Sequence, residues 1–241
     1  MSLKLSDCCF KAFYHEGKAE GSYKIIGGLD SYITGERFGN QRIIVIMTDI
    51  FGYKLNNVLL IADQLANSAK IQVVIPDILD GDWVVDKESF DRATWFRSHA
   101  LEITGPRIRT YLTNLRSEKS PKDLFGIGFC FGAKFVIEHL ADGGLLTAGA
   151  VAHPSLLTPE DIEKITKPIL ISTGDRDSSF HADLRQETLK ILSEKKDLRY
   201  QFDLFQGANH GYAVRGDISI PLVKYAKEKT LVDQVYWFSQ F

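Results

Sequence analysis

The residue with the strongest claim to chemistry is a cysteine. Cys130 stands at the centre of Gly128-Phe129-Cys130-Phe131-Gly132, a G-x-C-x-G stretch. A thiolate attacks carbonyl carbon readily. Glycines two residues away on either side let such a nucleophile occupy a sharp, strained strand-to-helix turn without side-chain clashes. A helix starting at that turn aims backbone N–H groups and the positive end of its dipole at the sulfur, favouring both a thiolate and an oxyanion formed beside it. A nucleophile of this kind needs a base, and the base needs an acid to orient it. Downstream, Gly174-Asp175-Arg176-Asp177 offers the acid and Gly207-Ala208-Asn209-His210-Gly211-Tyr212 offers the base.

The order nucleophile, acid, histidine is that of enzymes built on a strand–elbow–helix nucleophile, here Cys130, Asp177 and His210. Each has a bland alternative. Cysteine is often simply buried, and an aspartate after a strand often caps a helix. Gly126-Ile127-Gly128 with Gly132 also approaches a dinucleotide fingerprint. That motif calls for an acidic residue at the end of the next strand, where this chain has Ala152-His153-Pro154. His153 competes with His210 for a place in the site, and His181 lies near the acid loop. His139 falls within the helix after Cys130 and is expected to be structural; His15 and His99 have no convergent context. No His, Cys or Asp spacing resembles a metal site, so neither metal nor other cofactor is expected.

These residues need elements to hold them at the right places. Short apolar runs alternate with helical patterns along the chain. Arg42–Met47, Gln72–Pro76, Asp123–Ile127, Ala148–Ala152, Pro168–Thr173 and Arg199–Phe205 read as strands. Val58, Leu59, Ala62, Leu65 and Ala66 recur at helical spacing, and Thr104–Leu115 and Ser178–Leu192 read as helices. Ala133, Val136, Ile137 and Leu140 form the apolar face of the helix after the Gly128–Gly132 turn; Leu222, Tyr225, Val232 and Val235 are the expected face of the last helix. Strands alternating with helices predict βαβ units and a mostly parallel sheet with helices on both faces. In such sheets ligands gather at the carboxyl ends of the strands, where Cys130, Asp177 and His210 fall.

Composition narrows the field. The chain has 241 residues, 44% of them hydrophobic and 25% charged, with a formal net charge of −2. One α/β domain over residues 1–241 is expected. A near-neutral, dispersed charge gives no case for nucleic acid or an anionic membrane as partner. No apolar stretch approaches the ~20 residues of a membrane span, and the first residues have no signal-peptide core. Three cysteines, Cys8, Cys9 and Cys130, cannot form a full disulfide framework, so a reducing compartment, the cytoplasm, is expected. The expected partner is a small-molecule ester or lactone, with the protein a monomer or weak homodimer.

With these features in place, the chain resembles the dienelactone hydrolase (carboxymethylenebutenolidase) family, particularly its fungal cytosolic members. The markers are Thr48-Asp49-Ile50-Phe51-Gly52, Pro76-Asp77, Gly128 through Lys134, Ala152-His153-Pro154 and His210 through Asp217. The resemblance implies a three-layer α/β-hydrolase fold and hydrolysis of ester bonds, enol-lactones such as dienelactone among them. It implies a Cys130–His210–Asp177 triad passing through a thioester. It also implies an oxyanion hole from the N–H groups of Ile50 and Phe131, and a carboxylate, Asp49, that pairs with the thiol where bacterial members carry glutamate. Arg215 and Tyr212 are then the expected substrate-binding residues, with Arg97 a further arginine to consider. A general small-ester esterase and a non-catalytic or redox-sensing protein of the same fold remain open alternatives.

Overall fold

A computed structural model describes residues 15–85 and 90–241. Eight strands form one sheet: β1 (Ser22–Ile26), β2 (Leu29–Thr34), β3 (Arg42–Met47), β4 (Gln72–Pro76), β5 (Asp123–Phe129), β6 (Ala148–Ala152), β7 (Ile169–Arg176) and β8 (Tyr200–Asn209). Their spatial order is β1-β2-β4-β3-β5-β6-β7-β8. Strands β3 to β8 run parallel; β1 and β2 are antiparallel additions at one edge. The central strands are continuous apolar runs because helices cover them on both sides.

Strand β5 shows how the layers divide. Phe125 packs its ring against Phe238 of the last helix, α8 (Pro221–Phe238), at 4.9 Å between centroids. A Cβ at the next residue, Gly126, would meet Val136 of α4 (Phe131–His139). Neighbouring residues of a strand face opposite sides, so α8 and α4 cover opposite faces of the sheet. Helix α1 (Asn56–Ala69) and the short α7 (Tyr212–Arg215) pack with α8. Helix α5 (Pro159–Glu163) bridges α4 and α6 (Ala182–Glu194). Helices α2 (Arg92–Ser98) and α3 (Leu101–Lys119) lie between β4 and β5 in the chain. Among the described residues no helix is long and apolar enough to cross a membrane.

Several elements differ from the sequence expectations, three of them in ways that shape the sheet or its cover. The β1–β2 hairpin was not foreseen, although Gly27-Gly28, with φ of 59° and 89°, is the two-residue turn that such a hairpin demands. Strands β7 and β8 run three and four residues beyond the expected ends, to Arg176 and Asn209. Helix α8 is rotated relative to the expected face: Leu222, Tyr225 and Val232 are exposed. It packs through Val223, Ala226, Thr230, Gln234, Trp237 and Phe238 instead. Apolar residues lie all around this helix, so an interval of three and seven could not select the buried side.

Candidate active site

Every side chain of the site sits in a loop at the carboxyl end of a parallel strand, and the elbow after β5 is the tightest. Cys130 has φ of 50° and ψ of −111°, a strained conformation for a non-glycine residue. The flanking glycines make it possible. A Cβ on Gly132 would lie 2.1 Å from the carbonyl oxygen of Met47, and one on Gly128 would lie 2.5 Å from Cα of Ala133. The turn is also held from β6: Cys130 N–H donates to Ala152 O at 3.3 Å, and Ser155 N–H donates to Cys130 O at 3.2 Å.

His210 enters from the loop after β8, just before Gly211, whose φ is 85°. Its Nε2 lies 3.0 Å from Cys130 Sγ. Its Nδ1 lies 3.0 Å from each carboxylate oxygen of Asp177, in the loop after β7. Asp177 Oδ1 in turn accepts the backbone N–H groups of Ser179 (2.8 Å) and Phe180 (3.2 Å), which fix the carboxylate. Cys130, His210 and Asp177 are all buried. The arrangement is one in which an imidazole can take a proton from a thiol while a carboxylate holds its tautomer and steadies the resulting charge.

The two backbone groups expected to form an oxyanion hole lie on either side of one contact. Gly132 N–H donates to Thr48 O at 3.0 Å, tying the start of α4 to the loop after β3. The N–H groups of Ile50 and Phe131 donate to no acceptor among the described residues. The carbonyl of Ile50 accepts from Val84 N–H at 2.9 Å, and the Phe131 ring rests edge-on against Trp95 at 5.4 Å. Trp83, Val84, Phe90 and Trp95 line an open cleft of about 380 Å³ with Asp82 and Asp91 at its border. Val84 and Trp95 of this cleft are thus the residues that touch Ile50 and Phe131, through the Ile50 carbonyl and the Phe131 ring.

Asp49 does not pair with the thiol. Its Oδ2 accepts from Nε of Arg215 at 2.7 Å, and its Oδ1 from the N–H of Phe51 at 3.0 Å. Arg215 lies 4.7 Å over the Phe51 ring, and both charged side chains are almost wholly enclosed. A short buried carboxylate gains far more from a guanidinium than from a thiol, since an unpaired buried charge is costly. Arg215, expected to meet a substrate carboxylate, thus faces Asp49 through Nε. Tyr212 is also committed elsewhere: its hydroxyl bonds Thr230 Oγ1 of α8 at 2.8 Å. Arg97 is an exposed residue of α2 that donates to Thr94 Oγ1.

The other histidines separate cleanly. His153 is fully buried at the end of β6, its ring 5.1 Å from that of His210, and neither ring nitrogen has a partner among the described residues. Burial, then the neighbouring His210 and Arg215, hold its pKa well below the ordinary value, so it is neutral. His181 caps α6 by accepting from Leu184 N–H. His99 stacks on Trp95 at 4.1 Å and lies 3.0 Å from Leu79 O. His139 is buried in α4, and His15 lies 3.1 Å from Gly216 O. Cys8 and Cys9 fall outside the described residues. The residue that sequence reasoning missed is Ser155, whose Oγ is 3.7 Å from Cys130 Sγ. Its only sequence signal is its place, two residues past His153 at the end of a strand.

The sequence profile of the dienelactone hydrolase family matches residues 29–241. The chain is 34% identical to "Hydrolase pyvD" of Aspergillus violaceofuscus, covering 100% of this chain and 98% of the relative. It is 30% identical to "Dienlactone hydrolase 1" of Gibberella moniliformis, covering 95% and 91%. Among solved structures it superposes on a dienelactone hydrolase-like promiscuous phosphotriesterase from metagenomic libraries. The TM-score is 0.71 at 19% identity, covering 92% of this chain and 98% of that one. A dienelactone hydrolase from Anabaena variabilis gives a TM-score of 0.67 at 13% identity, covering 94% and 99%. Those structures establish the fold, an α/β-hydrolase. The chain belongs to the dienelactone hydrolase family. It is accordingly a hydrolase of the carboxymethylenebutenolidase type, acting on lactone or ester bonds.

Proposed function

We propose that this hydrolase opens activated esters and enol-lactones, carboxymethylenebutenolide (dienelactone) among them, by nucleophilic attack of Cys130. The observation that carries the reading is His210, set between Cys130 Sγ and Asp177 with 3.0 Å contacts on both ring nitrogens. His210 takes the thiol proton, and the thiolate forms a C–S bond to the carbonyl carbon. The carbonyl pair moves onto oxygen, where the N–H groups of Ile50 and Phe131 receive it. Such a donor is typically worth ~3 kcal/mol at the transition state. Collapse expels the alkoxide or enolate, which takes the proton from His210. Water, deprotonated by the same imidazole, then cleaves the thioester.

Sulfur sets the preference among substrates. From the tetrahedral adduct a thiolate leaves more readily than an alkyl alkoxide, so alkyl esters mostly return to substrate. Enolates and phenolates leave competitively, so enol-lactones and aryl esters go forward. A nucleophilic thiol also suits a reducing compartment, which favours a cytoplasmic setting. The test is hydrolysis of dienelactone, p-nitrophenyl acetate and ethyl acetate by wild type and Cys130→Ala, with intact-protein mass spectrometry. Turnover of the first two with a transient acyl adduct, both lost in the variant, is expected. Turnover that survives Cys130→Ala, or ethyl acetate as the best substrate, overturns the proposal.

A further inference from the structure

We infer that Ser155 is a catalytic residue of this site, its hydroxyl donating to Cys130 Sγ whenever the sulfur carries negative charge. The inference rests on the reading of Cys130 as nucleophile and extends it to a fourth side chain.

The geometry is specific. Ser155 Oγ lies 3.7 Å from Sγ, within reach of an O–H···S contact given sulfur's large radius. Cys130 is the sole partner of that hydroxyl among the described residues, and Ser155 is buried. Its backbone is pinned to the nucleophile's own residue, Ser155 N–H donating to Cys130 O at 3.2 Å. The turn that delivers it is costly. His153 and Leu156 on either side have φ of 40° and 60°, a region that non-glycine residues avoid. Pro154 stiffens the turn between His153 and Ser155. The loop after β6 therefore holds one hydroxyl against one sulfur in a place closed to bulk water.

The electrostatic surroundings leave a need that this hydroxyl meets. The titratable and charged groups of the loops that meet at the elbow are His210 with Asp177, from the loops after β8 and β7; His153, from the loop after β6; the Asp49–Arg215 pair, from the loop after β3 and from α7; and Tyr212, also of α7, its hydroxyl bonded to Thr230. Asp49 and Arg215 neutralise one another. His153 is uncharged. A buried thiolate at the N-terminus of α4 thus has two side chains in contact with it, the His210 imidazolium and the hydroxyl of Ser155. Hydrogen bonds to an ionised acceptor are about twice as strong as those to a neutral one. The Ser155 contact is therefore weak to the thiol, strong to the thiolate, and weak again to the thioester sulfur. It favours the two moments when sulfur is anionic: before the C–S bond forms, and when it breaks to release the acid. The serine keeps its proton throughout.

The experiment compares wild type, Ser155→Ala, Ser155→Thr and Cys130→Ala. It follows the pH dependence of Cys130 alkylation by iodoacetamide, located by mass spectrometry, alongside steady-state dienelactone hydrolysis. Loss of the hydroxyl should move the midpoint of the alkylation profile up by about one pH unit, a tenfold loss of thiolate below it. It should also lower kcat about tenfold with KM within twofold, and Ser155→Thr should recover most of both. An alkylation profile of Ser155→Ala that superimposes on wild type overturns the assignment. So does an upward shift that threonine leaves unrepaired. If Cys130→Ala remains active, the fault lies with the nucleophile and not with Ser155, so the two failures are separable.

Discussion

Two histidines stand side by side in the core of this protein and have been given opposite tasks. His153 and His210 are both buried, with ring centroids 5.1 Å apart. His210 has a thiol at one nitrogen and a carboxylate at the other. His153 has no partner at either nitrogen among the described residues, and burial keeps it neutral. The contrast shows that partners, more than burial or location, decide which imidazole can carry a proton. An imidazole becomes a base when something can stabilise its cation, and Asp177 does so for His210 alone. His153 serves by staying uncharged: a proton on it would repel the imidazolium that His210 becomes.

The comparison is broken most directly by exchanging the chemistry of the two rings. His210→Gln removes the base and is expected to lower kcat/KM on dienelactone about ten-thousand-fold; Asp177→Asn, which favours the wrong tautomer, should approach the same loss. His153→Phe keeps an aromatic of similar shape against Phe129 and should cost no more than about tenfold. Parallel measurements of kcat/KM check this. Equal losses from His153→Phe and His210→Gln would mean that the neutral ring has a role in proton transfer that its lack of partners argues against.

A second test concerns Arg215, the cation beside His153. Arg215→Met leaves the Asp49 carboxylate enclosed and unpaired, and is expected to destabilise the protein by about 3–5 kcal/mol in chemical denaturation. Adding Asp49→Leu should recover most of that loss, since replacing both members of a buried pair by apolar groups is often close to neutral. If Arg215→Met unfolds as wild type does, the pair is not the buried clamp that its geometry describes. The test also sharpens the histidine comparison, because it removes one of the charges that keep His153 from protonating.

How far the sequence could be read follows from the range of the interactions involved. The places of Cys130, Asp177 and His210 were legible because each is fixed locally, by an apolar strand run and a glycine-containing turn. Rules of chain order then do the rest. The ends of Arg42–Met47 and Ala148–Ala152 were legible for the same reason. Partnership was not. Asp49 and Arg215 are separated by 166 positions, and nothing near either announces that they neutralise one another. Ser155 lies 25 residues from Cys130 and acquires meaning only when β5 and β6 are aligned. Helix α8 illustrates the limit for packing: with apolar residues on every side, only the tertiary neighbours choose between Tyr225 and Ala226 as the buried one.

The smallest expected effect uses a third histidine as control. His139 lies in α4, away from Cys130, and burial depresses its pKa to about 4, with the nearby Arg109 and Lys167 acting in the same direction. In the unfolded chain an imidazole titrates near its ordinary value of about 6.5. The unfolded state therefore binds the proton first as pH falls. Stability from this group is fully present above about 6.5, declines as pH drops toward about 4, and changes no further below that. His153 pulls in the same direction, since its pKa is also depressed. From pH 7 to pH 5 His139 should contribute a loss on the order of 2 kcal/mol, and His153 a loss of the same sign. Guanidinium titrations at the two pH values check this: His139→Gln and His153→Phe should each flatten the decline, with additive effects in the double variant. If His139→Gln flattens it and His153→Phe does not, then His153 takes up its proton while folded, and the neutral partner assigned to His210 is lost.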